Sequence, residues 1–323
     1  MHASRMPASP PTLDEVRAAA ERIAPFARRT AVETCSTLSQ LAGRDLRFKA
    51  ELFQKAGAFK FRGACNAVMK LPPAAAGRGV ATQSSGNHGQ AIALAAKLRG
   101  VPAHVVMPDN SSRAKISAVR EYGANVILCG PTLKDREATV EMVAADTGAS
   151  YLPPYNHTDV IAGQGTVALE FLDQAPDLDA IVAPVGGGGL ISGICVAARA
   201  LKPDIRIFAG EPAGADDALR SKRAGELIPQ TGPKTIADGL RASLGDLTWP
   251  FIRDEVEAVI AVTEEEIVHA MRLVWERAKL MIEPSSAVAV AAVLSEEFRS
   301  RNGLQRVGVV LTGGNVDLES LPW

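Results

Sequence analysis

Short apolar runs alternate with longer stretches of about a dozen residues along most of this chain. The runs have the length of β-strands, and the stretches between them can form helices that cross from one strand to the next. Such alternation predicts parallel sheets that are covered by helices on both faces. The predicted strands are residues 46–52, 79–82, 103–107, 125–128, 150–152, 180–185, 205–211, 257–262 and 306–311, and the predicted helices between the early strands are residues 90–98, 114–122 and 134–146.

The chain of 323 residues is longer than one ordinary hydrophobic core requires and fits two packed domains. We predict an α/β fold with two doubly wound, mainly parallel-sheet domains. The larger domain is expected to combine residues 1–67 and 157–323, and the smaller α/β domain, residues 68–156, is expected to be inserted between them. The first dozen residues are expected to form a loose tail, after which Thr12 can cap a helix that begins at Leu13.

Composition and charge exclude several classes of function. The 35 basic and 36 acidic residues give a formal net charge of −1, which argues against a surface for nucleic acid or anionic membranes. No apolar run approaches the length of a membrane span, and the first residues lack the apolar core of a secretory signal. The cysteines (Cys35, Cys65, Cys129 and Cys195) form no C-x-x-C pair, which predicts reduced thiols, a cytoplasmic location and no zinc site.

One lysine lies between two aromatic residues, in the segment KAGAFKFRG at residues 55–63. Lysine amines become nucleophilic when burial disfavours their charged form, so Lys60 could present its amine to a carbonyl compound. A lone lysine is far more often a surface residue, here at the start of a helix. The functional interpretation of Lys60 therefore depends on the other motifs of the chain.

Four consecutive glycines at residues 186–189 separate a predicted strand, residues 181–185, from a predicted helix, residues 190–200. Without side chains, backbone N–H groups at the start of a helix can surround a phosphate. A simple tight turn is the alternative, and the run does not match the G-x-G-x-x-G pattern of dinucleotide-binding sites. Together with a buried amine, such an anion site fits pyridoxal 5'-phosphate (PLP), which carries an aldehyde and a phosphate.

The polar segment SSGNHGQ at residues 84–90 follows a predicted strand and opens a predicted helix. Its hydroxyl and backbone N–H groups could bind a substrate carboxylate. Asn87 could donate a hydrogen bond to an oxygen on the cofactor ring, and Ser85 could act as an acid or base on the face opposite Lys60. A simple capping turn is the alternative, and the segment alone does not decide between the two.

Thr312 ends the last strong strand, at the sheet edge where α/β proteins bind ligands. Its hydroxyl could hydrogen-bond the pyridine nitrogen of PLP. A carboxylate at that place would keep the nitrogen protonated and the ring strongly electron-withdrawing, whereas a neutral threonine makes the ring a weaker electron sink. A weaker sink favours prompt loss of a β-leaving group over a long-lived carbanion.

Residues 211–217 follow another predicted strand and contain two separated carboxylates, Glu211 and Asp217, with backbone carbonyls between them. Hard divalent cations prefer such oxygen ligands, so the segment could bind Mg²⁺ or Ca²⁺. On spacing alone, a solvated acidic loop is the more common arrangement.

These segments together resemble the fold-type II PLP enzymes, specifically the serine/threonine dehydratase and serine racemase family. The resemblance covers residues 12–318, nearly the whole chain. Residues 235–239 (TIADG), 275–277 (WER) and the pair Glu283-Pro284 resemble the serine racemase branch, which includes bacterial dehydratases and 3-hydroxyaspartate dehydratases. The main motifs are KAGAFKFRGA (55–64), SSGNHGQA (84–91), VIAGQGTVALE (160–170), PVGGGGL (184–190) and LTGGNVDL (311–318).

The resemblance implies a role for each matched position. Lys60 would form the Schiff base with PLP and later remove the Cα proton, and Ser85 would act as acid or base on the opposite face. Glu211, the Ala215 carbonyl and Asp217 would bind a divalent cation (Mg²⁺, or Ca²⁺ or Mn²⁺), and the protein would be a homodimer. The other cofactor contacts would be Phe59, Asn87, Gly186, Gly187, Gly188, Gly189 and Thr312, and the substrate contacts would be Ser84, Ser85, Asn87 and His88, with Ser84, Asn87 and His88 around the carboxylate.

The chain also departs from the family pattern. Ala58 replaces a common serine, Thr312 replaces the commoner serine or cysteine, and Ala242 replaces a substrate-side serine of the racemase. Arg136, on the predicted helix 134–146, matches a racemase arginine placed to meet a second carboxylate, which favours dicarboxylic substrates such as 3-hydroxyaspartate. An ordinary surface arginine is the alternative.

The sequence therefore predicts an ammonia-lyase (dehydratase) that converts a 3-hydroxy amino acid to a 2-oxo acid and ammonia. L-Threonine, L-serine and 3-hydroxyaspartate are the candidate substrates. Amino-acid racemisation with a side dehydratase activity is the alternative enzymatic function, and it requires Ser85 to reprotonate the opposite face. A non-catalytic PLP-binding protein and a nucleotide-binding Rossmann protein are alternatives from other classes.

Overall fold

The computed structural model describes residues 9–323, so residues 1–8 of the predicted tail lie outside the described residues. The strands, numbered in chain order, are β1 (Val32–Thr34), β2 (Asp45–Ala50), β3 (Val80–Gln83), β4 (Ala103–Pro108), β5 (Asn125–Cys129), β6 (Ser150–Tyr151), β7 (Ala180–Pro184), β8 (Arg206–Pro212), β9 (Ala258–Val262) and β10 (Arg306–Leu311). The α-helices are α1 (Leu13–Ile23), α2 (Ser36–Ala42), α3 (Lys60–Lys70), α4 (Pro73–Ala76), α5 (Asn87–Arg99), α6 (Arg113–Glu121), α7 (Leu133–Thr147), α8 (Thr158–Gln174), α9 (Gly189–Leu201), α10 (Asp217–Ala224), α11 (Trp249–Asp254), α12 (Glu264–Leu273), α13 (Pro284–Leu294) and α14 (Glu296–Arg299). Single turns of 3₁₀ helix lie at Glu51–Phe53, Lys55–Gly57, Ala213–Ala215 and Asp238–Leu240, and a π turn lies at Val274–Ala278.

Two sheets organise these elements. The larger has the strand order β1-β2-β10-β7-β8-β9, and the smaller has the order β5-β4-β3-β6. Strand β1 pairs antiparallel with β2, and the other neighbouring strands of the described chain pair in parallel. The predicted α/β fold with two mainly parallel sheets is therefore confirmed. Among residues 9–323, no helix combines the length and apolar character needed to cross a membrane.

The predicted elements recur with small shifts at their ends. Strand β2 ends at Ala50, earlier than predicted, because the chain turns into a 3₁₀ helix at Glu51–Phe53. The predicted start of the first helix is correct: Thr12 accepts a hydrogen bond from the Glu15 backbone N–H, and the Glu15 carboxylate accepts one from the Thr12 N–H. The small sheet falls inside residues 68–156, and the domain boundaries themselves stay a prediction.

Helices cover both faces of the larger sheet because successive strand residues point to opposite sides. In β7, Val182 packs into a core that contains α2, α12 and α13. Its neighbours Ile181 and Ala183 pack into a second core, which contains α1, α8 and α9. The smaller sheet is covered in the same way, with α3, α5 and α6 on one face and α7 on the other.

Glycines in the motif at residues 160–170 allow α8 to lie very close to two other helices. A Cβ on Gly163 would come within 2.6 Å of the Gly63 Cα in α3. A Cβ on Gly193 in α9 would come within 2.5 Å of the Gly165 backbone nitrogen. This part of the motif therefore serves helix packing, and it fixes α3, which begins with Lys60, against the larger domain.

Candidate active site

A cavity of about 590 Å³ lies between the two sheets. Its wall is built by the segments that follow β3, β4, β5 and β6 in the smaller sheet and β7 and β10 in the larger sheet. Parallel strands bring their carboxyl ends to one edge of a sheet, which is where open α/β sheets bind ligands. The cavity wall contains all residues predicted to bind cofactor or substrate, namely Phe59, Lys60, Ser84, Ser85, Asn87, His88, Arg136, Gly186, Gly187, Gly188, Gly189 and Thr312.

Lys60 is the first residue of α3, and its position follows from contacts with the end of β10. The Phe59 N–H donates to the Thr312 carbonyl at 3.0 Å, and Ala58 forms a β-bridge with Gly313. Inside the cavity, Lys60 Nζ donates to the Pro154 carbonyl at 2.9 Å. These contacts place the amine at a defined point of the cavity wall.

Burial makes the neutral form of the Lys60 amine easier to reach than that of a free lysine. The amine lies in the cavity wall, partly buried, 5.2 Å from the centre of the Phe59 ring. Burial disfavours the charged ammonium and lowers the pKa of Lys60 to about 8, although the nearby Glu283 carboxylate acts in the opposite direction. A substantial neutral fraction is therefore available for nucleophilic attack at mildly alkaline pH.

The glycine loop between β7 and α9 has no space for side chains. A Cβ on Gly187 would come within 2.4 Å of the Tyr155 ring, and one on Gly186 within 2.9 Å of the Leu240 Cα. Gly188 has φ +87°, a conformation that favours glycine, and a Cβ there would meet Thr248 at 2.7 Å. Bare backbone at the N-terminus of α9 fits the phosphate of PLP. The sequence analysis did not predict that Tyr155 packs against this glycine loop.

The Asn87 side chain is held by two long-range partners. Its Nδ2 donates to Glu283 Oε1 at 2.7 Å, and its Oδ1 accepts from Asn315 Nδ2 at 2.9 Å. Asn87 therefore keeps one free N–H for a ligand such as the ring oxygen of PLP. Burial raises the pKa of Glu283 to about 7, and the charge of Asp238 adds to this effect.

Glu283 was visible in the sequence only as part of a family motif. Its side chain is buried, and its Oε2 has no hydrogen-bond partner among the described residues. No pattern in one sequence indicates that a glutamate directly before a proline turns inward, so its contact with Asn87 could not have been predicted.

Positive charge from the smaller domain lines the same cavity. Arg136, on α7, contributes to the wall, and its Nε is buried without a hydrogen-bond partner in the described part of the chain. Lys115, on α6, forms an ion pair with Asp238 across the cavity, which links the two domains. Arg136 therefore reaches the cavity, as the dicarboxylate interpretation requires.

The predicted cation ligands lie outside the cavity wall, at the end of β8. The buried Glu211 carboxylate accepts hydrogen bonds from the Ala218 and Leu219 N–H groups, each at 2.9 Å. Asp217 Oδ2 accepts from the Leu244 N–H at 3.0 Å, whereas its Oδ1 is buried without a partner in the described residues. Burial raises the pKa of Glu211 to about 8 and that of Asp217 to about 6.

Known proteins match the chain over nearly its full length. Residues 23–313 match the family described as "Pyridoxal-phosphate dependent enzyme". A serine racemase of Arabidopsis thaliana is 50% identical over 309 residues, which cover 95% of this chain and 93% of that protein. A beta-hydroxyaspartate dehydratase of Paracoccus denitrificans is 49% identical over 315 residues, which cover 97% of this chain and 99% of that protein.

A solved structure gives the same result for the fold. The structure of maize serine racemase superposes with a TM-score of 0.94 and 47% identity, covering 96% of this chain and 95% of that one. At this coverage the similarity includes both sheets. The chain therefore belongs to the pyridoxal-phosphate-dependent enzymes, within the fold-type II family of serine/threonine dehydratases and serine racemases.

Proposed function

We propose that this chain is an ammonia-lyase that converts a 3-hydroxy amino acid to a 2-oxo acid and ammonia. The observation that carries the proposal is the convergence of a partly buried amine of lowered pKa, that of Lys60, and the bare glycine loop on one cavity. The neutral Thr312 at the end of β10 supports elimination, because a hydroxyl does not keep the ring nitrogen of PLP protonated. Ammonia and 2-oxo acid production from L-serine, L-threonine and the 3-hydroxyaspartate stereoisomers tests the reaction.

PLP, when bound, supplies an aldehyde that links to an amine and a ring that withdraws electrons from Cα. The backbone N–H groups of residues 186–189 would hold the phosphate, and Phe59 and Thr312 would contact the ring. Asn87, held by Glu283, would offer its remaining N–H to the ring oxygen. Lys60 would accept the Cα proton of the substrate on Nζ, a role that requires its neutral form.

Racemisation is the second candidate function, and the position of Ser85 favours it. Ser85 lines the same cavity as Lys60, so a second acid or base is available to the substrate. Proteins of both kinds, racemases and a dehydratase, are about equally similar to this chain. Chiral analysis of serine recovered during turnover distinguishes the functions, since elimination alone leaves the remaining substrate enantiomerically unchanged.

We propose dicarboxylic 3-hydroxy amino acids as the preferred substrates, because Arg136, a permanently charged residue, lines the cavity. An Arg136→Ala variant is expected to lower kcat/KM for 3-hydroxyaspartate by about 10- to 100-fold, the value of a charge-assisted hydrogen bond. The same change is expected to alter kcat/KM for L-serine by less than about twofold, since serine has no second carboxylate.

Arg120→Ala is the matched control for Arg136, because Arg120 is an exposed arginine on α6 of the same domain. This variant is expected to leave both kcat/KM values unchanged. An equal loss for serine and 3-hydroxyaspartate in Arg136→Ala would contradict the role of Arg136 in diacid recognition.

We also propose a divalent cation, with Mg²⁺ as the first candidate, between Glu211, the Ala215 carbonyl and Asp217. Two buried carboxylates whose charge is disfavoured by burial, one with an unpartnered oxygen, fit a positive ion at this place. Within residues 9–323, His, Cys, Asp and Glu side chains nowhere gather in threes to hold a metal. Backbone carbonyls and water would therefore complete the coordination.

Thermal unfolding with and without Mg²⁺ tests this cation site. At a concentration of about 100 Kd, a bound ion stabilises the folded state by about 2.7 kcal/mol and raises Tm. Asp217→Asn is expected to remove the Mg²⁺-dependent rise in Tm. Asp216→Asn is the control and is expected to keep this rise, because the Asp216 carboxylate pairs with Arg220. A wild-type Tm that does not respond to Mg²⁺, Ca²⁺ or Mn²⁺ would leave Glu211 as a purely structural cap of α10.

The substrate of this proposal is a small molecule, which agrees with the nearly balanced charge of −1 and requires no nucleic acid or membrane. A homodimer and a cytoplasmic location are also expected from the sequence. Both stay predictions.

A further inference from the structure

One side of the cavity is formed by a segment that makes very few polar contacts with the larger domain. Residues 103–147 run from β4 to α7, and they pack on β3, β6 and α5 of the smaller domain. Their part of the cavity wall includes Lys115 and Arg136. Among the hydrogen bonds and ion pairs of residues 9–323, only the Lys115–Asp238 pair joins this segment to residues 9–67 or 157–323.

Both ends of this ion pair are held within their own domain. The Lys115 side chain lies along Gly86, where a Cβ would come within 3.4 Å of both Cδ and Nζ, and it is only 14% exposed. Asp238 begins a 3₁₀ turn in which the Gly239 N–H donates to Ser285 Oγ at 3.0 Å. The pair therefore joins two fixed points on opposite sides of the cavity.

The surroundings of the pair make its attraction stronger than that of a surface ion pair. Water has little access to the Lys115 amine, so the two charges are weakly screened. After burial, the charges of Asp238 and Lys115 are the next influences on the pKa of Glu283, which Asp238 raises and Lys115 lowers. The pair thus lies near the Asn87–Glu283 hydrogen bond, which holds the start of α5 to the larger domain.

We propose that the Lys115–Asp238 pair positions Arg136 for substrate recognition, because it holds residues 103–147 at a fixed distance from Lys60. This inference deepens the diacid preference proposed above and rests on it. A second carboxylate reaches Arg136 in the right geometry only while the pair is formed, whereas L-serine has no group that needs this wall. The fraction of molecules with a formed pair then sets the apparent affinity for the diacid, since only that fraction is competent to bind it.

Two single variants break the pair without a large change in side-chain volume, Lys115→Met and Asp238→Asn. In either variant, KM for 3-hydroxyaspartate is expected to rise about tenfold, with kcat within about twofold of the wild type. KM for L-serine is expected to change by less than about twofold. Lys134→Met, which replaces an exposed lysine on α7 of the same segment, is the control and is expected to leave both KM values unchanged.

Exchange of the two charges separates positioning from direct contact with the substrate. In a double variant with Lys115→Asp and Asp238→Lys, the two side chains have the same combined reach with their signs reversed. KM for 3-hydroxyaspartate is expected to return to within about threefold of the wild type. If Lys115 itself bound the substrate, the exchange would give no rescue, and that result would overturn the positioning role.

A second double variant tests whether the pair acts through Arg136. In the Arg136→Ala background, Lys115→Met is expected to change KM for 3-hydroxyaspartate by less than about a further twofold, because the contact that the pair positions is already absent. A full further loss in this background, or an equal rise in KM for L-serine and 3-hydroxyaspartate in Lys115→Met, would overturn the link to Arg136.

Hydrogen exchange gives a readout that needs no turnover. In the PLP-loaded protein, backbone amides of residues 103–147 are expected to exchange about tenfold faster in Lys115→Met and Asp238→Asn, and near the wild-type rate in the charge-exchange variant. Amides of β7 and β10 serve as the internal reference. Unchanged exchange in both single variants would overturn the positioning role whether or not the protein is a lyase. A wild-type protein that converts neither substrate, with exchange rates that respond as expected, would instead overturn the lyase function.

Discussion

A Lys60→Ala variant is expected to lose turnover by about 10³-fold or more and to lose covalent attachment of PLP. Alanine has no amine that can link to the aldehyde and none that can accept the Cα proton. Lys115, the other lysine in the described cavity wall, forms an ion pair with Asp238 and is not available as a replacement. Ammonia release and the cofactor absorbance of the purified variant measure the two losses.

Peptide mapping of the wild type locates the covalent bond directly. After borohydride reduction and trypsin digestion, the pyridoxyl label is expected on residues 56–62, because trypsin cleaves after Lys55 and Arg62 but not after a modified Lys60. Lys97→Ala, an exposed lysine on α5, is the control and is expected to keep both label and turnover. A label on another peptide, or full turnover in Lys60→Ala, would contradict the assignment of Lys60.

An Arg62→Met variant is expected to lower the free energy of unfolding by about 3–5 kcal/mol. The Arg62 guanidinium is fully buried and makes two hydrogen bonds with each of two carboxylates, at 2.7 and 2.8 Å with both Glu51 and Glu170. Lys49 balances the charge of the cluster through Glu170, at 2.9 Å. Methionine fills similar space without a charge, so the completely buried Glu51 would lose its guanidinium partner.

Arg253→Met is the matched control for this buried cluster. Arg253 also makes two hydrogen bonds with one carboxylate, that of Asp254, at 2.7 Å each, but about half of each side chain is exposed. Water can solvate both charges when the pair is broken, so little change in stability is expected. Urea unfolding measures both variants, and equal denaturation midpoints for Arg62→Met and the wild type would refute the importance of the cluster.

The pattern of apolar and capping residues along the chain was sufficient to predict the architecture. Side-chain alternation and helix capping act over a few residues, so strands such as β7 and β10 and the start of α1 at Leu13 could be placed from sequence. The same holds for the residue types that PLP chemistry requires: a lysine between aromatics, a glycine run after a strand, and a hydroxyl at a sheet edge. The resemblance to known enzymes then associated these segments with one cavity, which the structure contains.

Contacts between distant parts of the chain could not be predicted from these local patterns. The Asn87–Glu283 hydrogen bond joins residues 196 positions apart, and the Arg62–Glu170 ion pair joins residues 108 positions apart. Neither partner carries a local signal, since an inward-facing glutamate and a surface glutamate look alike in sequence. The structure also shows that Arg136 belongs to the cavity wall, whereas the sequence alone is equally compatible with an ordinary surface arginine.

The sequence gives the residue type at each position, whereas the protonation state of a side chain depends on its surroundings in the folded protein. The order of residues was enough to indicate that Lys60 and His88 belong to a PLP-type cavity. Whether each is charged depends on how completely water is removed, and the tautomer of His88 depends on the Leu152 carbonyl, 64 positions away. Desolvation and long-range hydrogen bonds arise only when the two sheets pack together, so protonation and hydrogen-bonding roles emerged from the folded protein.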